Sequence, residues 1–392
     1  MTLSSNNFWL KFLLVFSLFI LSLENHGPNR LLLVILPFFV FIFYFFYGKS
    51  NLSPILALLK TVFFVSILST LSYFSFFSYK ENMATYSSFD FLYTTIFKLL
   101  VVFLFYNVIG KNKEFLIQII GCVMLLHVSI FFIQFFIVYI SGTYIDFLEP
   151  FTGETARYTW SVAFPFIGKT YRPTGFFNEP STYLSIAFSL LAIKYFLSRK
   201  LYLVDKFVLL SFVLSLSFAS IGVSILFLLI VNLKGKNLYK FLPFFLIIFV
   251  TLIPIVISVF IARTSGDYDA LGIRLQLFNL VFNQNVLELF LGNGPVGVPS
   301  SLAYFYELGK TSWAKEGIAA INDNGLALFI FIKFGAIGLI LCIVYVTIKV
   351  KKIIPLMCFL LIFITKLKFT SFIFIFAIFA IIIFGGKQKN EI

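Results

Sequence analysis

EFLIQIIGCVMLLHVSIFFIQFFIVYI, residues 114–140, decides the fold. After Glu114 the run contains no Asp, Glu, Lys or Arg. A helix needs about 20 apolar residues to cross a hydrocarbon layer of ~30 Å, and this run exceeds that. In lipid every backbone polar group must be satisfied within the segment, so such a run reads as a helix. Comparable runs recur at 8–23, 31–47, 53–78, 89–110, 181–197, 203–217, 219–233, 239–262, 323–349, 353–366 and 368–384. Together they predict an all-α polytopic membrane protein of about 12 transmembrane helices, with 10–12 compatible with the pattern. Residues 203–233 read either as one long tilted helix or as two short ones broken at Ala219-Ser220-Ile221-Gly222. Only Lys366-Leu367-Lys368 separates the last two runs.

Composition leads to the same class. The 392 residues are 60% hydrophobic, 20% aromatic and only 12% charged. Barrel-type alternation is absent, which excludes an outer-membrane barrel. The net charge of +14 would suggest nucleic acid in a soluble protein. Here much of it lies in short loops between runs, where it reports topology, so no nucleic-acid partner is expected. Alternate loops carry Lys49; Lys111 and Lys113; Arg199, Lys200 and Lys206; Lys234, Lys236 and Lys240; and Lys349, Lys351 and Lys352, and the tail carries Lys387 and Lys389. That alternation places these loops and both termini in the cytoplasm. Lys366 and Lys368 disagree, since the count puts them outside. The first run lacks a small-residue cleavage site and reads as a retained span. Cys122, Cys342 and Cys358 all lie in apolar runs and read as small buried side chains. His127, inside a span, reads as a hydrogen-bonded bundle residue rather than a ligand.

The chain is expected to form a single integral membrane domain over residues 1–392. Two loops are long, 141–180 and 263–322, and both fall on the outer face. Long loops without structure of their own are uncommon and are usually functional. In the second, residues 273–291 carry Leu277, Leu280, Val281, Leu287 and Phe290 at helical spacing, which predicts an amphipathic helix on the surface or against the bundle.

The first loop ends in YRPTGFFNEPSTYL, residues 171–184. Pro180 at a first helical position, after Asn178 and Glu179, is a helix-start signal. The expected geometry holds Arg172 and Glu179 close together at the mouth of the bundle. The two loops also hold Arg157, Lys169, Arg263, Arg274, Lys310 and Lys315, cations on the face that topology disfavours. Solvation, or pairing with Asp146, Glu149, Glu154, Asp267, Asp269, Glu288, Glu307 and Glu316, is one account of them. The other is anion binding: a guanidinium grips phosphate oxygens bidentately and stays charged at any working pH. Several from different loops suit a lipid-linked pyrophosphate.

No HExxH or His/Cys cluster is present in the loops, and neither metal nor cofactor is expected. Discharging a pyrophosphate without Mg²⁺ requires other cations to stabilise the leaving charge, and arginines can supply them. An attacking alcohol needs a base, for which Glu179 and Asp323 are the candidates. Asp323 reads equally as a helix N-cap, and Glu179 as a first-turn acid favoured by the helix dipole. Gly292-x-Gly294-x-x-Gly297 spells a dinucleotide fingerprint, but it follows no strand and contains Pro295, so it reads as a turn. Ser181, Ser185, Ser220 and Ser224 have no His or Lys partner suited to a serine hydrolase.

These residues resemble the bacterial O-antigen polymerases (Wzy type), relatives of the O-antigen ligases. Arg172-Pro-Thr-Gly175-Phe-Phe-Asn178-Glu179-Pro180-Ser-Thr is similar to the segment closing that family's first large periplasmic loop. Gly272-Ile-Arg274, followed by Leu291-Gly-Asn-Gly294, is similar to the second loop. Asp323-Asn324, with Lys333-Phe-Gly335-Ala-Ile-Gly338, is similar to the opening of the next span. The resemblance implies a GT-C-like, metal-independent glycosyltransferase of the inner membrane with a periplasmic active site. Its substrates would be oligosaccharides on undecaprenyl pyrophosphate, and its partners the lipid bilayer, a flippase and a chain-length regulator. It carries Arg172 and Arg274 over as pyrophosphate binders, with Arg263 and Arg157 beside them and Asn178 and Asn324 as neighbours in the motifs. Ligases usually have His where this chain has Asp323, which favours polymerase over ligase. An Arg-x10-Gly spacing used to describe polymerases is met by Arg157 and Gly168, not by Arg172 or Arg274. A ligase moving glycan onto lipid A core, and a lipid-oligosaccharide flippase using Lys60, Lys98 and Lys333 inside its spans, are the alternatives.

Overall fold

A computed structural model describes residues 8–23, 37–38, 42, 52–73, 88–156, 162–164, 168–232, 277–295, 297, 299, 301 and 324–385. The elements in chain order are helices α1 (Phe8–Ser22), α2 (Leu52–Tyr73), α3 (Ser88–Ile109), α4 (Lys113–Ser141) and the single turn α5 (Glu149–Thr152). A hairpin of β1 (Val162–Phe164) and β2 (Gly168–Thr170) follows, antiparallel, with Ala163 opposite Lys169. Then come α6 (Pro180–Ser198), α7 (Leu203–Leu214), α8 (Phe218–Asn232), α9 (Val286–Leu291), α10 (Leu326–Lys349), α11 (Ile353–Leu360) with a 3₁₀ extension Leu361–Ile364, and α12 (Phe372–Phe384). Among the described residues the fold is helical apart from that small hairpin. Three helices, α4, α6 and α10, are long and apolar enough to cross a membrane. The run at 239–262 and most of the run at 31–47 lie outside the described residues.

The faces of the bundle are turned out as a lipid-facing protein requires. Leu125, Ile133, Phe136 and Ile140 of α4, and Ile340 and Ile348 of α10, are exposed, whereas soluble proteins rarely expose such contiguous apolar surface. Helix α6 is the opposite case. Nearly every residue from Tyr183 to Leu197 is buried, and α4, α7, α8, α11 and α12 all pack on it. In lipid, helices gain little from burying apolar area against one another, so close approach and interhelical hydrogen bonds matter more. Ser185, Ala187, Ser189 and Ala192 let neighbours approach α6. Its hydroxyls bond back to the preceding turn, Ser185 to the Ser181 carbonyl at 2.8 Å and Ser189 to the Ser185 carbonyl at 2.6 Å. Tyr183 reaches Ser211 of α7 at 2.6 Å, and Tyr106 of α3 donates to the Phe376 carbonyl of α12 at 2.9 Å. At the far end of α6, Lys194 pairs with Asp205 at 2.6 Å, both buried, which pins the turn into α7.

Local sequence explains most boundaries. Asn112 caps α4 by accepting from the Phe115 amide at 3.0 Å, and Ser371 caps α12 by accepting from Phe374. Residues 203–232 form two helices, but the break falls at Ser215–Ser217, not at residues 219–222, which lie inside α8. Leu216 adopts φ 52° there, and the Ser215 hydroxyl bonds the Phe212 carbonyl at 2.7 Å, a side-chain bond that competes with helix continuation. The amphipathic helix expected over 273–291 is interrupted as well. Residues 277–282 are helical, and Asn285 restarts the chain as the cap of α9. Leu277 and Val281 are buried, while Leu287 and Phe290 are more than half exposed. His127 is a buried bundle residue: its Nε2 lies 2.8 Å from the Ser22 hydroxyl. That hydroxyl also lies within hydrogen-bond reach of the Phe19 carbonyl. The three cysteines are free thiols, two of them buried.

Candidate functional site

The loop that carries Arg172 is plugged into the bundle by its aromatic pair and hung from one buried amide. Phe176 packs on Phe19 of α1 and on Phe147, and Phe177 packs on His127 and Tyr183. Gln134 of α4 is fully buried. Its Oε1 accepts from the Thr174 and Gly175 amides at 2.8 and 2.9 Å, and its Nε2 donates to the Ile145 carbonyl at 2.8 Å. One side chain thus satisfies three loop backbone groups that burial would otherwise leave unpaired. Tyr139 donates to the Tyr171 carbonyl at 2.9 Å, and Tyr144 meets the Thr174 hydroxyl at 3.0 Å. Asp146 is spent on the loop itself, its carboxylate accepting from the amides of Leu148, Glu149 and Ala156. Arg172 is half-buried on this loop, just before the turn that the Phe177 amide closes on the Thr174 carbonyl.

Glu179 stands extended, φ −141° and ψ 151°, as the last residue before Pro180 opens α6. The residue before a proline is pushed out of the helical region, which fixes this corner. Its side chain does not cap the helix. Oε2 instead accepts from Lys366 at 2.9 Å and from the Ser181 hydroxyl at 3.0 Å. The pair is mostly sheltered, with the side chains 13% and 18% exposed. Neighbouring Asn178 donates to Glu154 at 2.7 Å, and its Oδ1 is buried with no donor among the described residues.

Lys366 brings in a third segment. Its neighbour Thr365 is buried and accepts from the Leu326 amide at 2.8 Å, at the start of α10. Gly325, at φ 96°, lies so close to the Ile364 carbonyl that a Cβ there would come within 2.9 Å of it. Asn324 therefore sits at the same end of the bundle as Glu179, joined through the 364–366 corner. Lys98 of α3 donates to the Thr370 carbonyl at 3.1 Å, a few residues further along that connection. Of the residues singled out from sequence, Arg172, Asn178, Glu179 and Asn324 are thus placed at one bundle end. Arg157, Arg263, Arg274 and Asp323 lie outside the described residues. Lys366 was legible only as a lysine on the wrong side of the topology count. Its ammonium meets the Glu179 carboxylate.

The second loop enters the bundle differently. Helix α10 is broken at Gly335, where φ is 66° and ψ −172°. Gly292 presses its backbone against Lys333, Phe334 and Gly335, and Gly335 presses against Phe290 in return. Asn293 donates to the Ile332 carbonyl through both its amide and its Nδ2, each at 2.9 Å, and Nδ2 also reaches Gln284 at 2.8 Å. Lys333, fully buried, donates to the Gly297 carbonyl at 2.6 Å. The Gly292-x-Gly294-x-x-Gly297 stretch is thus a turn wedged into a helix break. Lys333 is seven residues into α10, which puts the wedge ~10 Å below the helix start. Irregular backbone at such depth requires protein burial around it, and Asn293 and Lys333 supply the lost partners.

No family model, curated protein or solved structure matches this chain.

Proposed function

We propose that this chain is a bacterial surface-polysaccharide (O-antigen) polymerase of the inner membrane. It would join oligosaccharide repeats carried on undecaprenyl pyrophosphate at the periplasmic face of a GT-C-like bundle of about 12 spans. The observation that carries the reading is the convergence of the Arg172 loop, the Glu179–Lys366 pair and the α10 start on one end of the bundle. In this reaction a sugar hydroxyl of one repeat attacks the anomeric carbon of the growing chain. Its proton passes to a carboxylate, Glu179 or Asp323. The bond from the anomeric carbon to the pyrophosphate oxygen breaks, and undecaprenyl pyrophosphate leaves with its electron pair. Arg172, with Arg274, Arg263 and Arg157, would hold that leaving group and take up its charge as it develops. Asn178 and Asn324 offer amide groups to sugar hydroxyls.

Two of the three lysines inside the spans favour this over transport. Lys98 and Lys333 are used to tie loop carbonyls to helices, whereas transporters set intramembrane charges along a substrate path.

The test is surface glycan from a deletion strain complemented with each variant, resolved on a gel. Wild type restores the ladder, while Arg172→Ala and Glu179→Gln insert normally. Arg172→Ala leaves single-repeat glycan, and Arg172→Lys is impaired as well because bidentate geometry is lost. Full-length polymer from Arg172→Ala would refute the site. Lipid-linked repeats accumulating on the inner leaflet of the deletion strain would identify a flippase, and complete chains left unattached to core would identify a ligase.

A further inference from the structure

We propose that Lys366 is the positioning residue for the Glu179 carboxylate, an inference that rests on the polymerase reading with Glu179 as base. Lys366 is held by its own backbone neighbours. Thr365 and Leu367 on either side are buried. The Thr365 amide and hydroxyl both bond the Ile362 carbonyl, at 3.0 and 2.6 Å, and the Thr365 carbonyl receives the Leu326 and Leu367 amides. A residue between two buried anchors of this kind has its side chain directed by the fold. That direction is toward Glu179, 187 positions away in sequence.

The lysine costs something to keep there. Cations on the outer side oppose the topology preference, and ordering a long side chain against a carboxylate carries an entropic penalty that exposed pairs seldom recover. The return is control of the carboxylate. Lys366 and Ser181 both donate to Oε2, which fixes the rotation of the carboxylate plane for the approach of an incoming hydroxyl. Lys366 acts through Glu179 and does not touch the reacting atoms.

Purified protein in lipid nanodiscs, assayed with lipid-linked repeats, tests this. Lys366→Met lowers kcat by about 10–100-fold, part of the roughly 10²–10⁴-fold that a positioned base contributes, and leaves the donor KM within about twofold, as expected when an interaction matters only at the chemical step. Lys366→Arg recovers most of the rate, because it restores a cation at the same oxygen. On a Glu179→Gln background, Lys366→Met causes no further loss, because residues acting as a unit are non-additive. Thermal melting of each variant checks folding. A rise in KM at unchanged kcat, an Arg variant as slow as the Met variant, or multiplying losses would overturn the assignment while leaving the polymerase reading intact. A Glu179→Gln enzyme with wild-type kcat removes the base and its positioning residue together. A wild-type chain that makes no polymer removes the whole reading.

Discussion

The two long loops are attached to the same bundle by different physics. The first is hung from side chains: Gln134 holds three of its backbone groups, and Tyr139 and Tyr144 hold its rim. The second is locked by backbone, Gly292 lying directly against the break at Gly335. A hydrogen bond can be lost one at a time, at a cost set by the groups left unpaired. A contact between two backbones allows no third atom, so it is either made or not. The first arrangement suits a loop that can loosen in steps, and the second suits a wedge that sets the shape of a helix.

The sharpest way to break this comparison is to put a methyl group into the lock. Gly335 has a φ/ψ combination essentially reserved for glycine, and the added Cβ would run into Phe290 and Gly292. Gly335→Ala is expected to cost more than about 4 kcal/mol, the exceptional end of single substitutions, and to yield no monodisperse protein on detergent gel filtration. Gly292→Ala should behave alike. Gly222→Ala in α8 is the control. A Cβ there meets nothing within 4 Å, and alanine is favoured in helices by up to ~1 kcal/mol, so its melting temperature should hold or rise. A well-folded Gly335→Ala protein would mean that the wedge is dispensable.

Gln134→Leu comes next. It keeps the apolar packing but leaves the Thr174 and Gly175 amides buried without an acceptor. At ~1–3 kcal/mol for each, the expected loss is about 2–6 kcal/mol. Limited proteolysis should then cut within residues 141–180 before the helices are attacked. Cleavage in the second loop first would contradict the division drawn between the two.

How much of this could be read from sequence follows the range of the interactions. Helix ends were legible where one residue sets them, as Pro180 does for α6, and apolar runs located α4, α6 and α10 to within a few residues. The break in α10 was not, because Gly335 in an apolar run looks like any small residue in a span. What breaks the helix is Gly292, brought in from another segment. The interruption near Asn285 was hidden by apolar residues that kept helical spacing across it. Glu179 and its loop are picked out by local pattern, but its pairing with Lys366 is not, since nothing near residue 179 points to residue 366. The one available signal was the conflict between Lys366 and the topology count. A charge that violates a strong bias is a reason to look for its partner.

The smallest effect belongs to the rim of the first loop. Tyr139 is partly exposed and gives a single bond to the Tyr171 carbonyl, so Tyr139→Phe should cost only about 0.5–1.5 kcal/mol, a shift of a few degrees in melting temperature. If the proposed polymerase function holds, its influence on polymer yield should be larger than that, because the bond fixes the residue immediately before Arg172, and small misplacements of a binding group cost rate out of proportion to stability. If Tyr139→Phe instead destabilised the protein as much as Gln134→Leu, the loop would be carried by its rim and not by the buried amide. If it changed neither stability nor yield, Arg172 would be positioned without the rim bond, and the loop would hang from α4 by Gln134 and by Phe177 against His127.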